Sequence, residues 1–382
     1  MLKTNRLLGG ILLVAGTSIG AGMLALPIVT SFAGFIPSFF TLAFCWLLMF
    51  FTAYLILEVN LACPGDANMI TMAGRTLGKV GKAVCWVVYL LLLYSLTAAY
   101  TAGCAPLFLG LMKSLLRPQI PDWAGPFPLL ILFGFFVYFG TRTVDYVNRL
   151  LMIGLTIAYI ALILFLPSHV EGNLLAHIDL PSAWIAIPVI FTSYGFHIVI
   201  PSLSTYLNHN EKKLRQAILI GSLIPLFVYI AWVFLVLGVV PQSDLYDAWQ
   251  AGQSATVPLA IILENPWIST IASTFAFFAM ITSFLGVSLS LSDFLGDGLK
   301  LHRFSWGREI ACVITFFPPL VFVLMYARGF LLALQYAGLF VAILLGILPA
   351  LMAWKLPKYR RRKWLLSLVI LVSAAVGGLS VV

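Results

Sequence analysis

The sequence is poor in charge. Asp, Glu, Lys and Arg make up 9% of its 382 residues, and 62% are hydrophobic. Soluble domains average about 25% and 45–50%, so a water-soluble globular chain is excluded and most residues belong in a bilayer. Cysteine is scarce too. Cys45, Cys63, Cys85, Cys104 and Cys312 show no C-x-x-C spacing, which leaves no disulfide framework and no zinc signature. No hydrophilic stretch is long enough for a soluble domain. No ring of charged residues or repeated filter sequence suggests a channel. The first apolar run is longer than the 7–15-residue core of a signal peptide and reads as a membrane span.

What the chain does have is long apolar runs. A span needs roughly 20 such residues, and eleven segments qualify: 7–29, 34–58, 83–111, 126–141, 148–167, 182–206, 216–239, 267–294, 309–327, 330–353 and 364–382. The longest hydrophilic connection, 241–266, contains "SDLYDAWQ" and reads as a short surface helix.

The positive charges orient these spans. With the N-terminus inside, the inner segments hold Lys3 and Arg6; Arg75, Lys79 and Lys82; Arg142 and Arg149; Lys212, Lys213 and Arg215; Lys300, Arg303 and Arg308; and six between Lys355 and Lys363. The outer segments hold only Lys113, Arg117 and Arg328. The N-terminus is therefore expected in the cytoplasm and the C-terminus outside. The formal charge of +9 reflects this asymmetry and not nucleic acid. "WKLPKYRRRK" reads as an anchor beside anionic headgroups.

The interior carries helix-weakening residues in a repeated pattern. "TSIGAGMLALP" (17–27) in span 1 and "TSYGFHIVIP" (192–201) in span 6 both read T-S-x-G, then apolar residues, then proline. Five spans separate them, so they cross the bilayer in opposite directions. This predicts two inverted five-helix halves, 7–167 and 182–353, in a single 1–382 transmembrane domain, with the helix 364–382 appended. Matched glycine and proline interruptions point to a transporter binding site. A helix broken at mid-membrane frees N–H and C=O groups that lipid cannot satisfy. Freed N–H groups suit a carboxylate, and freed carbonyls suit an ammonium or a metal cation. The alternative for Gly16-x-x-x-Gly20 is a helix-packing face. "GTSIG" also fits the nucleophile elbow, which requires a strand–turn–helix setting. An intramembrane serine hydrolase pairing Ser18 with His197 is the corresponding alternative.

"AGTSIGAGMLALP", "LTAAYTAG", "AIPVIFTSYGFH", "KLRQAILIGSLIPL", "TSFLGVSLSLSDFLGD" and "FFPPL" together make nearly the whole chain resemble the hydroxy/aromatic amino acid permease family, and within it the tyrosine-specific permeases. Its tryptophan permeases share many of these motifs. The family falls in the amino acid–polyamine–organocation superfamily. The resemblance implies an all-α fold of eleven spans, the leucine-transporter-like five-plus-five inverted repeat with broken helices 1 and 6, and cation-driven uptake of an aromatic amino acid, tyrosine first, across a bacterial cytoplasmic membrane. It implies no cofactor, no enzymatic activity and no protein partner. A non-transporting sensor of the same fold is a further alternative.

Carried over by residue, the resemblance places Ser18, Gly20, Ala21 and Gly22 around the substrate's carboxylate and amino group. It places Ser193, Tyr194, Gly195, Phe196 and His197 on its other side. Tyr94 is added from span 3, with Tyr100 beside it; Tyr94, Thr97 and Thr101 share a helix face expected to line the same cavity. His197 is a candidate substrate or proton contact because ionisable residues in spans are functional by default; a neutral imidazole satisfying freed backbone is the alternative. Glu58, Arg142, Asp145, Arg149 and Asp293 read as edge charges or ion pairs of an inner gate. The family implies proton coupling, with a lysine near the position of Leu155 in related tyrosine permeases. This chain has no Lys or Arg between Arg149 and Lys212. Oxygen donors suit hard cations, so carbonyls of Gly16 and Ile19 with Thr282 and Ser283 form an alternative sodium site.

Overall fold

The computed structural model describes residues 6–63, 65, 67–115, 119–263, 265–326 and 328–380. Lys3, Arg117 and the last residues expected for spans 9 and 11 lie outside them. The described chain is helical, with no strand among the described residues.

Span 1 is broken: Arg6–Ser18 and Gly22–Thr30 meet at 54°. Span 2 is Phe35–Ala62. Span 3 belongs to the helical segment Met69–Leu115, in which Gly78 has φ +77° and ψ −162°. Only glycine adopts that conformation readily, so the chain turns there from a short helix at the lysine- and arginine-rich end into the span. Spans 4 and 5 are Pro126–Phe139 and Thr141–Phe165. Span 6 breaks between Ile187–Ser193 and Ile200–Tyr206, through the tight turn Phe196–Val199. Spans 7, 8 and 9 are Glu211–Val239, Pro266–Gly298 and Gly307–Met325. Span 10 runs Gly329–Val341, then a π-helical turn Ala342–Ile347, then Leu348–Ala353.

Counting the bent pair as one, ten described segments are long and apolar enough to cross a bilayer. The eleventh expected segment, Lys363–Leu379, has 17 residues, the lower limit for a span. Both breaks fall where the T-S-x-G pattern sits. Proline follows each one: Pro201 stands in the first turn of its resumed helix, where its missing N–H is harmless, and Pro27 lies inside Gly22–Thr30.

The core is built around the two broken helices. The inner half of span 1 packs on span 7 and on Phe196–Val199; its outer half packs on span 7 and on Ile187–Ser193. Spans 3, 5 and 8 form the facing wall, with span 10 across span 3. Small residues allow the closest approaches: a Cβ on Gly338 would lie 2.6 Å from the Pro188 carbonyl oxygen.

The connection 241–266 carries the expected surface helix, Gln242–Gln250, with Gln242, Ser243, Tyr246, Asp247 and Gln250 exposed, and a second helix, Thr256–Ile262, after it. Leu245, Ala248, Ala255 and Leu259 are buried, and the Ala255 N–H donates to the Leu24 carbonyl at 3.0 Å. The segment is thus a plug against the outer half of span 1. Burial of its apolar face outweighs its polar composition.

At the opposite, lysine- and arginine-rich end, Glu58 closes a charge cluster. Its carboxylate pairs with Lys358 and lies 3.5 Å from Arg215, which bonds Glu211 at 2.5 Å. Burial, then the Glu58 carboxylate, push the Tyr359 phenol above its ordinary pKa. Span 2 is thereby tied to span 7 and to the turn after span 10. Asp145 and Arg149 form an exposed pair at 2.9 Å, and Asp293 and Arg142 are exposed. Replacing Glu58, whose side chain is 11% exposed, by Gln is expected to lower stability by about 1–2 kcal/mol, because its charge-assisted links to Lys358 and Arg215 become neutral ones while Arg215 keeps Glu211. Asp145→Asn should cost under about 1 kcal/mol, as exposed pairs do. Thermal unfolding of the two purified variants checks the contrast.

Candidate functional site

The breaks meet at one cavity of about 420 Å³, a size usual for small-molecule sites. Of the residues expected there, Gly16, Ser18, Ile19, Gly20, Ala21 and Gly22 of span 1, Ser193 and Gly195 of span 6, and Thr282 and Ser283 of span 8 line it. Its exposed lining residues, Leu12, Leu13, Thr17, Gly286 and Ser290, lie toward the lysine- and arginine-rich end, so the cavity opens there. The other end is shut. Leu24, Leu26 and Ile28 are fully buried, and Trp232, Phe275 and Tyr159 pack ring to ring at 5.2 and 5.8 Å.

Glycine is needed where the breaks touch. A Cβ on Gly22 would lie 2.8 Å from Ser193 Oγ, and one on Gly20 would strike Ser283 Oγ. Gly16 faces open space. The freed backbone groups are partly served by side chains. The Ala21 N–H donates to Ser283 Oγ at 2.9 Å. The Tyr229 hydroxyl lies 2.6 Å from the Ser18 carbonyl and 2.9 Å from that of Ser193. Ser193 and Thr282 turn their hydroxyl protons back onto their own helices, at Val189 and Phe278, which leaves oxygen lone pairs for the cavity. Ser18 Oγ is buried and has no hydrogen-bond partner.

Several expected residues stand elsewhere. Tyr94 does not line the cavity; its hydroxyl donates to the Ile314 carbonyl of span 9 at 2.8 Å. Thr97 and Thr101 are buried and bond to carbonyls of their own helix. At about 100° per residue, Tyr94 sits roughly 140° around span 3 from Tyr89, whereas Tyr100 returns to the Tyr89 face. Tyr89 and Tyr100 line the cavity, so of the two tyrosines expected from span 3, Tyr100 reaches it and Tyr94 does not. Tyr194, Phe196 and His197 are fully buried behind the break. The His197 Nε2 lies 2.8 Å from Thr52 Oγ1 of span 2, and its ring lies against Phe196 at 4.9 Å. The pairing of Ser18 with His197 that a hydrolase would need is absent, since Ser18 Oγ has no partner.

Sequence reasoning missed Asn148 and Met152 of span 5, and Gly286 and Ser290 of span 8, all of which line the cavity. Their signal was helical spacing: 148 and 152 lead by i, i+4 and i, i+3 to Leu155, and 282, 286 and 290 form one row. Leu155 itself is buried at 2% exposure. Tyr229 carried no local signal, because its partners are two distant carbonyls.

The arrangement offers carbonyl and hydroxyl oxygens on one side and half-helix N-termini on the other. The contact at Gly22 makes a testable distinction. Gly22→Val should cost about 1–3 kcal/mol of stability through overpacking, whereas Gly16→Ala should raise stability by up to about 1 kcal/mol through helix propensity. Thermal unfolding of both variants measures this.

Comparison with known proteins agrees with this fold. The chain resembles, in fold, the crystal structure of MhsT in complex with L-phenylalanine, at a TM-score of 0.63 and 13% identity, covering 97% of this chain and 98% of that one. It also resembles the Eremococcus coleocola manganese transporter, with a TM-score of 0.62 and 14% identity over 96% of this chain and 85% of the other. Both have the leucine-transporter fold. In sequence it is 38% identical over 360 residues to the tyrosine-specific transport system 1 of Haemophilus influenzae, covering 92% of this chain and 88% of the relative. It is 32% identical over 366 residues to that organism's tryptophan-specific transport protein, at 92% and 88% coverage. Residues 3–370 match the tryptophan/tyrosine permease family. The chain belongs to this family, and is a transport protein rather than an enzyme.

Proposed function

We propose that the chain imports an aromatic amino acid, tyrosine first, by symport with a cation, through alternating access around the cavity between spans 1, 3, 5, 6 and 8. The observation that carries this reading is the meeting of two broken helices at one cavity. Their freed carbonyls and N–H groups complement the ammonium and carboxylate of one amino acid. The relatives named as tyrosine- and tryptophan-specific transporters support an aromatic side chain. Tyr89, Leu92, Leu96 and Tyr100 offer it an amphipathic wall.

The excess of Lys and Arg at the open end supports a cytoplasmic position for that end, in a bacterial inner membrane. The N-terminus is then inside, the C-terminus outside, and the cavity is the inward-open state. In this orientation the plug 242–262 and the aromatic seal close the outer path.

Sodium is the coupling ion that the donors favour. Gly16, Ile19, Thr282 and Ser283 line one cavity and present the oxygen ligands that hard cations take. Leu155 stands where a lysine ammonium is expected in proton-coupled relatives. His197, the proton carrier suggested by sequence, lies behind the break and not in the cavity.

Uptake of labelled tyrosine into proteoliposomes tests both parts. A sodium gradient should drive uptake, and Thr282→Ala should raise the sodium concentration for half-maximal uptake by about tenfold or more, the worth of one ion–oxygen contact. Uptake driven by a proton gradient in the absence of sodium would overturn sodium coupling. No tyrosine uptake under either gradient would overturn the import of tyrosine, and intact binding would then favour the sensor.

A further inference from the structure

The closest polar link between the two broken helices comes from a residue outside the cavity. Tyr229, in the middle of span 7, is fully buried. Its hydroxyl lies 2.6 Å from the carbonyl of Ser18 and 2.9 Å from the carbonyl of Ser193. Ser18 is the last residue of the inner half of span 1, and Ser193 the last of the outer half of span 6. These are helix C-termini, where the last carbonyls lose their intrahelical partners and where the negative end of the helix dipole gathers. Two such ends from opposite directions converge on one phenol.

Chemistry limits what this phenol does. It has one proton, so it donates to one carbonyl at a time or is shared between two. Each carbonyl has two lone pairs, so a phenol that takes one on each leaves the second free. Ser18 and Ser193 line the cavity and Tyr229 does not, so the hydroxyl comes from behind. The ring is held in place: it packs against Tyr194 at 5.3 Å, and Pro225 stands one turn earlier in the same helix. Gly22 lies close against Ser193, so the two breaks meet beside the hydroxyl.

We propose that Tyr229 is a positioning residue that holds the Ser18 and Ser193 carbonyls as a convergent pair facing the cavity, where they receive the ammonium group of the substrate. This rests on the amino acid reading above and adds to it the residue that organises one end of the substrate. A carbonyl pair released by loss of the hydroxyl would drift apart or turn to other donors, and only ligands that carry an ammonium would register the change. The carboxylate end falls to a different group, the start of Gly22–Thr30, so it should be indifferent to Tyr229.

Three ligands separate the two ends in a direct binding experiment on the purified full-length protein. Tyrosine has both groups, tyramine lacks the carboxylate, and 3-(4-hydroxyphenyl)propionate lacks the amine. In Tyr229→Phe, tyrosine and tyramine should bind about tenfold or more weaker, the usual scale for hydrogen bonds to a charged group. The propionate should change by less than about twofold, within the error of such neutral substitutions. Placing 4-aminophenylalanine at 229 restores N–H donors at the same reach, and tyramine affinity should recover. Equal weakening of all three ligands in Tyr229→Phe, or no weakening of any, would overturn the proposal. If that variant does not fold, the 4-aminophenylalanine variant carries the test: amine-selective binding close to wild type supports the role, and uniform loss across the three ligands overturns it. Wild-type protein that binds none of the three ligands would instead overturn the aromatic amino acid reading, and the inference with it.

Discussion

Backbone N–H and C=O groups in a bilayer have no water to turn to, and each one left unbonded costs several kcal/mol. The architecture follows from how this chain meets that constraint while breaking two of its helices. Wherever the ladder is interrupted, another group stands in. Ser283 takes the N–H of Ala21, and Tyr229 serves the carbonyls of Ser18 and Ser193. Other groups are left facing the cavity. A polar ligand there makes bonds that the protein has left unmade, so the defects in the helices and the capacity to bind are the same feature.

The same logic assigns work to the surrounding spans. Span 8 contributes hydroxyls whose protons return to their own helix, so that their oxygens remain as acceptors. Span 7 braces both breaks from behind. Glycine at 20 and 22 lets side chains of other spans reach the backbone without a methyl group between them. The ends of the molecule differ for a related reason. One half is packed with aromatic and aliphatic side chains and covered by the plug, and the lysine- and arginine-rich half carries the opening and the charges. Ion pairs such as Glu58 with Lys358 and Arg215 lie at the rim, where water shares the cost of desolvation.

Much of the fold was legible because lipid imposes a simple grammar. The T-S-x-G pattern marked both breaks, since the same glycine-bearing interruption recurs five spans apart in apolar runs. The connection 241–266 was read as a surface helix from its polar residues, and Gln242–Gln250 is one; its buried positions, Leu245 and Ala248 among them, were not read. On span 3, Tyr94 and Tyr100 were expected in the cavity; Tyr100 lines it, together with Tyr89, which was not read. Spacing groups residues onto faces but does not say which face turns inward.

The sequence by itself determined the class of protein, the spans, the bias of positive charge and the location of the interruptions. Each follows from local composition, which lipid reads segment by segment. Tertiary structure decided which groups look into the cavity. It put Asn148, Tyr89 and Ser290 there, sent His197 to Thr52, and brought the Tyr229 hydroxyl to two carbonyls that lie 211 and 36 residues away. Such contacts depend on the rotation and crossing of whole helices, which are set by packing between distant segments, and no local pattern encodes them.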